Sequence, residues 1–146
     1  MITNRPIQIT GFLLFLLMPL LSSAQTRTVI STTSPGVTRL VEIYEYDCVD
    51  EQPTFPGGNI ALMRFINNER HYPAEAYRNG IQGRVLCGFI VHENGRISDI
   101  TVVKSVEESL DQEAVRIIAS MPPWVAGSLH NHPVPVYCFL AIPFRR

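Results

Sequence analysis

The sequence predicts a two-layer α+β domain in which helices pack on one face of a three-stranded antiparallel sheet. Three observations predict it. Segments with helical and with strand periodicity follow one another in the order helix, helix, strand, strand, helix, strand (ααββαβ). Asn94-Gly95 joins two apolar runs in the manner of a hairpin. A helical stripe then separates that hairpin from a final alternating run, so the last strand should run antiparallel to the first and pair with it. The expected sheet order is second, first, last, with the last strand exposed at an edge.

Each element has its own reason. In FPGGNIALMRF, Phe55 to Phe65, a proline and two glycines precede a segment in which Ala61, Leu62, Phe65 and Ile66 line one helical face. Asn59 is expected as the N-cap, with Gly57-Gly58 giving the backbone freedom to turn into it. A phosphate cradle competes with that reading, but neither the Lys-Ser/Thr nor the three spaced glycines of such loops is present. Tyr72 to Gly80 opens on Pro73 and closes on Asn79-Gly80, the composition of a two-turn helix with a left-handed cap. In GRVLCGFIVHENGRISDITVVKS, Val85, Cys87, Phe89 and Val91 share one face. Leu86 and Ile90 make the other face apolar too, as a strand covered on both sides requires. On the return, Ile97, Ile100 and Val102 break strict alternation, which predicts a bulge near Asp99. Ser109-Leu110-Asp111-Gln112 fits a capping box, and Leu110, Ala114, Ile117, Ile118 and Met121 continue a stripe until Pro122-Pro123 stops it. The last run, Pro133 to Ile142, places Val134, Val136, Cys138, Leu140 and Ile142 on one side. Pro135 cannot donate to a ladder, which assigns the run to an edge.

The 146 residues are 46% hydrophobic and carry 12 basic against 13 acidic side chains, a net charge of -1. That balance fits one globular domain and excludes bulk attraction to nucleic acid or to an anionic membrane. Residues 1–24 stand apart: a single Arg, the apolar run Gly11 to Leu21, then Ser22-Ser23-Ala24, the plan of a secretory signal cleaved after Ala24. The run is short of the roughly 20 residues a membrane-spanning helix needs. The alternatives are an uncleaved anchor or a lipidated N-terminus, the latter disfavoured because no Cys lies near the cut. Residues 25–52 read as a flexible leader, Ser/Thr-rich and interrupted by Pro35-Gly36; within it LVEIYEY, Leu40 to Tyr46, fits a short strand or an extended tail equally well. The folded domain is expected over 53–146. Export implies an oxidising compartment, where Cys48, Cys87 and Cys138 allow at most one internal disulfide. Cys87 and Cys138 share the inward parity of neighbouring strands and read either as buried thiols or as a cross-strand bridge.

Catalytic signals are missing. His130-Asn131-His132 lies in a turn without further metal-ligand spacing, and Asp47, Asp50 and Glu51 lack an oxygen-ligand loop. No nucleophile elbow or Cys/His signature is present. No enzyme activity, metal or cofactor is expected. Trp124 reads as a core cap rather than a stacking platform. What remains is the exposed last strand, whose unpaired N–H and C=O groups can receive another chain as an added strand. Tyr137 and Phe139 point away from its inward face, which favours a peptide-binding or self-pairing module.

Together Phe55-Pro56-Gly57-Gly58, Tyr72-Pro73, Gly80 to Val85, Asn94-Gly95, Ser109-Leu110-Asp111 and Met121-Pro122-Pro123-Trp124 resemble, in unbroken order, the TonB C-terminal domain family. The resemblance runs from Phe55 to Arg146. It implies a periplasmic domain of two helices on a three-stranded antiparallel sheet. It also implies that the last strand accepts a short segment of an outer-membrane TonB-dependent receptor by strand addition, linking the domain to energy-dependent transport across the outer membrane. By position the receiving residues are Val134, Pro135, Val136, Tyr137, Cys138, Phe139 and Leu140; Phe55, Pro56, Gly57, Gly58 and Trp124 carry over as structural. The chain departs from full-length transducers in having a signal where they have an anchor, and a leader of about thirty residues where they have a long Pro-rich spacer. The expectation is therefore a stand-alone periplasmic binding domain, with a homodimer or a complete, anchored transducer as alternatives.

Overall fold

The structure, a computed structural model, describes residues 26–34 and 37–146, with side chains from Val41 onward. The expected signal segment, 1–24, lies outside the described residues. Two strands come first, β1 (Thr26–Ser34) and β2 (Val37–Glu45), paired antiparallel. They replace most of the expected flexible leader, and β2 takes in the LVEIYE stretch. A 3-10 turn, Tyr46–Cys48, then takes the chain off the sheet.

The helix α1 (Gly58–Glu69) starts two residues earlier than an Asn59 cap would place it, with Gly57 as its N-cap. The cause lies in Phe55-Pro56-Gly57-Gly58. Gly58 donates its N–H to the Phe55 carbonyl at 2.8 Å, and Gly57 has φ 87 and ψ 5. That is a type II turn, with Pro at its second position and Gly at the third, where the backbone must be left-handed. A Cβ on Gly57 would stand 2.9 Å from that of Ala61. Gly57→Ala is expected to lower stability by about 1–2 kcal/mol, since an L-residue resists this conformation; an unchanged urea midpoint would contradict the turn.

The helix α2 (Ala74–Arg78) has Pro73 at its N-cap and closes through Asn79 and Gly80, φ 67. Ile81 donates to the Ala76 carbonyl at 2.9 Å and Gly80 to that of Tyr77 at 3.2 Å, a Schellman closure. The hairpin is β3 (Gly83–Val91) with β4 (Ile97–Lys104). Asp99 has φ 53 where the register slips between Gly88 and Ile90, so the bulge falls at the expected place. A second slip follows between Leu86 and Cys87.

The helix α3 (Glu108–Ala119) buries Leu110, Ala114, Ile117 and Ile118, each 0% exposed. Its cap differs from the expected box. The N-cap is Glu107, whose carboxylate accepts from Ser109 N (3.0 Å) and Leu110 N (3.4 Å) and from the Ser109 hydroxyl, while Gln112 turns to Glu108. Ser109 is already inside the first turn, so its own N–H is one of those needing an acceptor. These donors, the Ser109 hydroxyl first, hold the Glu107 carboxyl below its ordinary pKa.

After α3 come β5 (Gly127–Leu129) and β6 (His132–Val134), an unanticipated hairpin turning on His130 (φ 51) and Asn131 (φ 63), and then β7 (Val136–Phe144). Two successive left-handed residues make the type I′ turn that matches strand twist. Pro135, unable to donate, separates β6 from β7 and splits the run expected to be continuous from Pro133 to Ile142.

The sheet order is β1-β2-β7-β3-β4. The predicted core order of second, first, last is present as β4-β3-β7, and β3 and β7 pair antiparallel in register from Gly83↔Phe144 to Val91↔Val136. The three-stranded, all-antiparallel expectation is corrected: the sheet has five strands and is mixed, because Tyr44 and Glu45 of β2 pair parallel with Val136 and Tyr137. The main core lies between this sheet and the helices. Phe89, Val85, Ile142, Phe144, Ile66 and Ile117 are fully buried in it.

Candidate partner-binding edge

β7 is therefore not the outermost strand, and how much of its second edge stays free decides whether it can receive anything. Along an antiparallel strand, alternate residues point both N–H and C=O to the same edge. The Pro135 carbonyl accepts from Tyr44 N at 3.0 Å, so the odd-numbered residues face β2 and the even-numbered ones face β3. Tyr137 is taken by the pairing with β2. Among the described residues no strand pairs with this edge beyond it. At the far end, Pro143 has no N–H, and its carbonyl accepts from Arg70 Nη1 at 2.6 Å. Among the described residues, Phe139 and Ala141 are thus left with free main-chain groups. Two residues offer two donors and two acceptors, enough for a short added strand.

The free stretch overlooks a cleft of about 600 Å³. Cys138, Phe139 and Leu140 form one side. The chain from Glu45 to Cys48 and from Gln52 to Phe55 forms the other, and Asn59, Leu62 and Trp124 complete the lining. That second wall is held in place by main-chain bonds: Thr54 and Val125 exchange bonds at 3.1 and 2.8 Å, and Glu51 and Ser128 at 3.1 and 2.9 Å. Asp50 accepts from His130 N at 2.7 Å and Glu51 from Ser128 Oγ at 3.0 Å. Asp50 and Glu51 thereby fasten the wall to the β5–β6 hairpin, whose turn is His130-Asn131. Among the described residues no group of His, Cys, Asp and Glu is arranged to hold a metal.

The predicted receiving residues separate into three groups. Val134 belongs to β6 and Pro135 to the junction, so neither is part of the free edge. Val136 and Tyr137 are paired with β2 on that side. Of the others, Cys138 and Leu140 turn inward and bond to β3, and Phe139, 52% exposed, holds free groups. Ala141 was missed; knowing that Pro135 and Pro143 share one parity would have found it. Tyr137 and Phe139 meet edge to face at 4.8 Å on the outer sheet surface, where the Tyr137 ring fills the place a side chain on Gly88 would take.

Phe55 and Trp124 both line the cleft. Their rings stand edge to face at 5.9 Å, Trp124 meets Phe89 at 5.5 Å, and Phe55 meets Phe65 at 5.5 Å. The Trp124 indole N–H has no acceptor among the described residues.

Cys87 and Cys138 are buried free thiols. Cys87 lies opposite Leu140 and Cys138 opposite Phe89, so the two are diagonal neighbours rather than a facing pair. Diagonal Cβ atoms stand farther apart than the roughly 3.5–4.5 Å a disulfide needs. Burial pushes Cys138 up to about 12, and burial with the Asp111 carboxylate behind it pushes Cys87 up to about 11.

A family model described as "Gram-negative bacterial TonB protein C-terminal" matches residues 68–145. Two NMR solution structures of Helicobacter pylori TonB-CTD are similar to the chain. The one spanning residues 179-285 of that protein is 26% identical, covering 60% of this chain and 78% of its own, with a TM-score of 0.46. The one spanning 194-285 is 25% identical, covering 59% and 90%, with a TM-score of 0.45. No curated protein matches the chain.

Proposed function

Since this chain belongs to the TonB C-terminal family, whose role is in transport, we propose that it is a periplasmic binding domain that takes a segment of an outer-membrane TonB-dependent receptor as an added strand along β7. The observation that carries the proposal is the pair of main-chain positions, Phe139 and Ala141, that no described residue pairs with between the end of β2 and Pro143. An incoming strand that bonds to both continues the sheet where β2 leaves it. Among the described residues no helix is long and apolar enough to cross a membrane; a cleaved signal over residues 1–24 would release the domain, and a retained one would tether it.

Ala141→Pro tests the edge. It deletes one outward N–H and leaves the β3 ladder intact, because position 141 bonds away from β3. Titrated with periplasmic N-terminal peptides of such receptors, the native protein should bind in the micromolar to millimolar range, and the variant at least about tenfold more weakly, a loss of roughly 1.4 kcal/mol. Hydrogen exchange gives a second reading: the amides of Phe139 and Ala141 should exchange quickly in the free protein and slow on binding, whereas those of Cys138 and Leu140 are protected throughout. Unchanged affinity in Ala141→Pro would remove the proposal. If two copies pair through this edge instead, sedimentation will show a dimer that the peptide dissociates.

A further inference from the structure

The free stretch of β7 has an apolar floor beneath it and two carboxylates at one end. Phe55, Leu62 and Trp124 close the cleft on the helix side, and Glu45 and Asp47 stand where β2 gives way to the 3-10 turn. Among the described residues neither carboxylate has a cationic partner; the ion pairs there join His71, Glu69, Glu113 and Arg116 on another part of the surface. An added strand must alternate its side chains between the two sheet faces. One that bonds to Phe139 and Ala141 therefore directs every second side chain into this cleft and the others out beside the exposed Phe139 ring.

Resting on the strand-addition reading, we infer that the segment this edge selects carries an aliphatic or aromatic side chain that seats against Leu62 and Trp124. We also infer that it carries a lysine or arginine at the end that abuts Glu45 and Asp47. The cleft is open along the strand and has room for at least one large side chain. The carboxylates cannot hydrogen-bond to an incoming carboxylate and would repel one at close range, so charge sets both the preference and the placement of the strand. An acidic segment of the same apolar pattern is disfavoured even though its main chain offers identical bonds.

Trp124 is the sole tryptophan of the chain, so its emission reports the cleft directly. The probes are two blocked heptapeptides of alternating valine and threonine, one flanked by arginine at both ends and the other by glutamate. The arginine peptide should bind the purified protein about tenfold more tightly at low salt, the contrast shrinking as salt screens it. Binding should shift the Trp124 emission to the blue. In Glu45→Lys/Asp47→Lys the order of the two peptides should reverse. Equal affinities, a preference that survives this double substitution, or binding that leaves the emission unchanged would overturn the inference. Ala141→Pro separates the two levels. If both peptides bind equally and this variant loses both, strand addition stands and the selectivity falls. If neither peptide binds, or Ala141→Pro binds as well as the native chain, the two fall together.

Discussion

Gly95→Ala is expected to destabilise the protein by about 3–5 kcal/mol, a large share of the 5–15 kcal/mol that holds a typical domain together. Gly95 has φ 82, and a Cβ placed on it would lie 2.0 Å from the Trp124 carbonyl oxygen and 3.2 Å from its nitrogen. Those atoms are backbone and cannot swing aside. They are also fixed in both directions, since Trp124 N–H donates to the Gly95 carbonyl at 2.8 Å and Gly95 N–H to that of His92 at 2.9 Å. The hairpin turn is thereby clamped to the segment that carries Trp124 into the cleft. Gly88→Ala is the comparison. Its Cβ would also come within 2.0 Å of an atom, but that atom is the Tyr137 hydroxyl oxygen at the tip of a side chain on the outer face. A side chain gives way more readily than main chain, so the cost should be smaller, about 1–3 kcal/mol. Denaturant midpoints of the two variants decide it: a Gly95→Ala protein no less stable than Gly88→Ala would mean that the turn does not touch Trp124.

The same clamp marks the boundary of what could be read in advance. Elements set by local periodicity and turn chemistry were legible: the α3 stripe, the Asn-Gly hairpin, the Asp99 bulge and the Asn79-Gly80 cap all depend on residues within one turn of each other. The core order β4-β3-β7 followed from connectivity alone. What escaped depends on pairing between distant segments. The β1–β2 pair is Ser/Thr-rich at its start and shows no lasting alternation. Its parallel contact with β7 spans only Tyr44↔Val136 and Glu45↔Tyr137, too little to leave a pattern. Capping was misplaced for a related reason. Several residues near each helix start were suited to the cap, and the choice of Gly57 over Asn59 was made by a turn, and of Glu107 over Ser109 by the course of the chain out of β4.

The candidate site was legible only as a strand. Its exposed residues Phe139 and, by parity, Ala141 lie in a segment whose periodicity was plain, but its limits did not. Those limits come from Tyr44 at one end and Arg70 at the other, 91 and 73 residues away in sequence from the carbonyls they reach. The cleft is subtler still. Phe55 and Leu62 are buried and Trp124 is half-buried against them; the opening arises because Tyr46–Cys48 leaves the sheet two residues after meeting it.

The two buried cysteines sit directly behind this edge, and their titration makes the second large expectation. In the folded protein Cys87 ionises only near about 11 and Cys138 near about 12, against an ordinary value of 9.0. Both folded values are raised, so the unfolded chain loses these protons first as the pH climbs. The stability they confer is complete below pH about 9 and is lost as the pH rises through about 11 to 12. With two thiolates in the unfolded chain and two thiols in the folded one, stability falls steadily between pH about 9 and 11, by an amount on the order of a few kcal/mol. Tyrosine and lysine titrate in the same window, so the decisive measurement is a difference. Cys87→Ala/Cys138→Ala will be less stable than the native chain at pH 7 because of the volume removed, but its stability should fall less steeply between pH 9 and 11. Parallel slopes would show that the thiols are not desolvated as the fold places them. Reactivity supplies an independent check on the same burial. At pH 8 a thiol reagent should modify Cys48 in the native protein and reach Cys87 and Cys138 only on unfolding. Because Cys138 bonds through its backbone to β3 and its neighbour Phe139 faces the free edge, a strand docked on β7 should leave both buried thiols as unreactive as before. It should also slow modification of Cys48, which lines the opposite wall of the cleft.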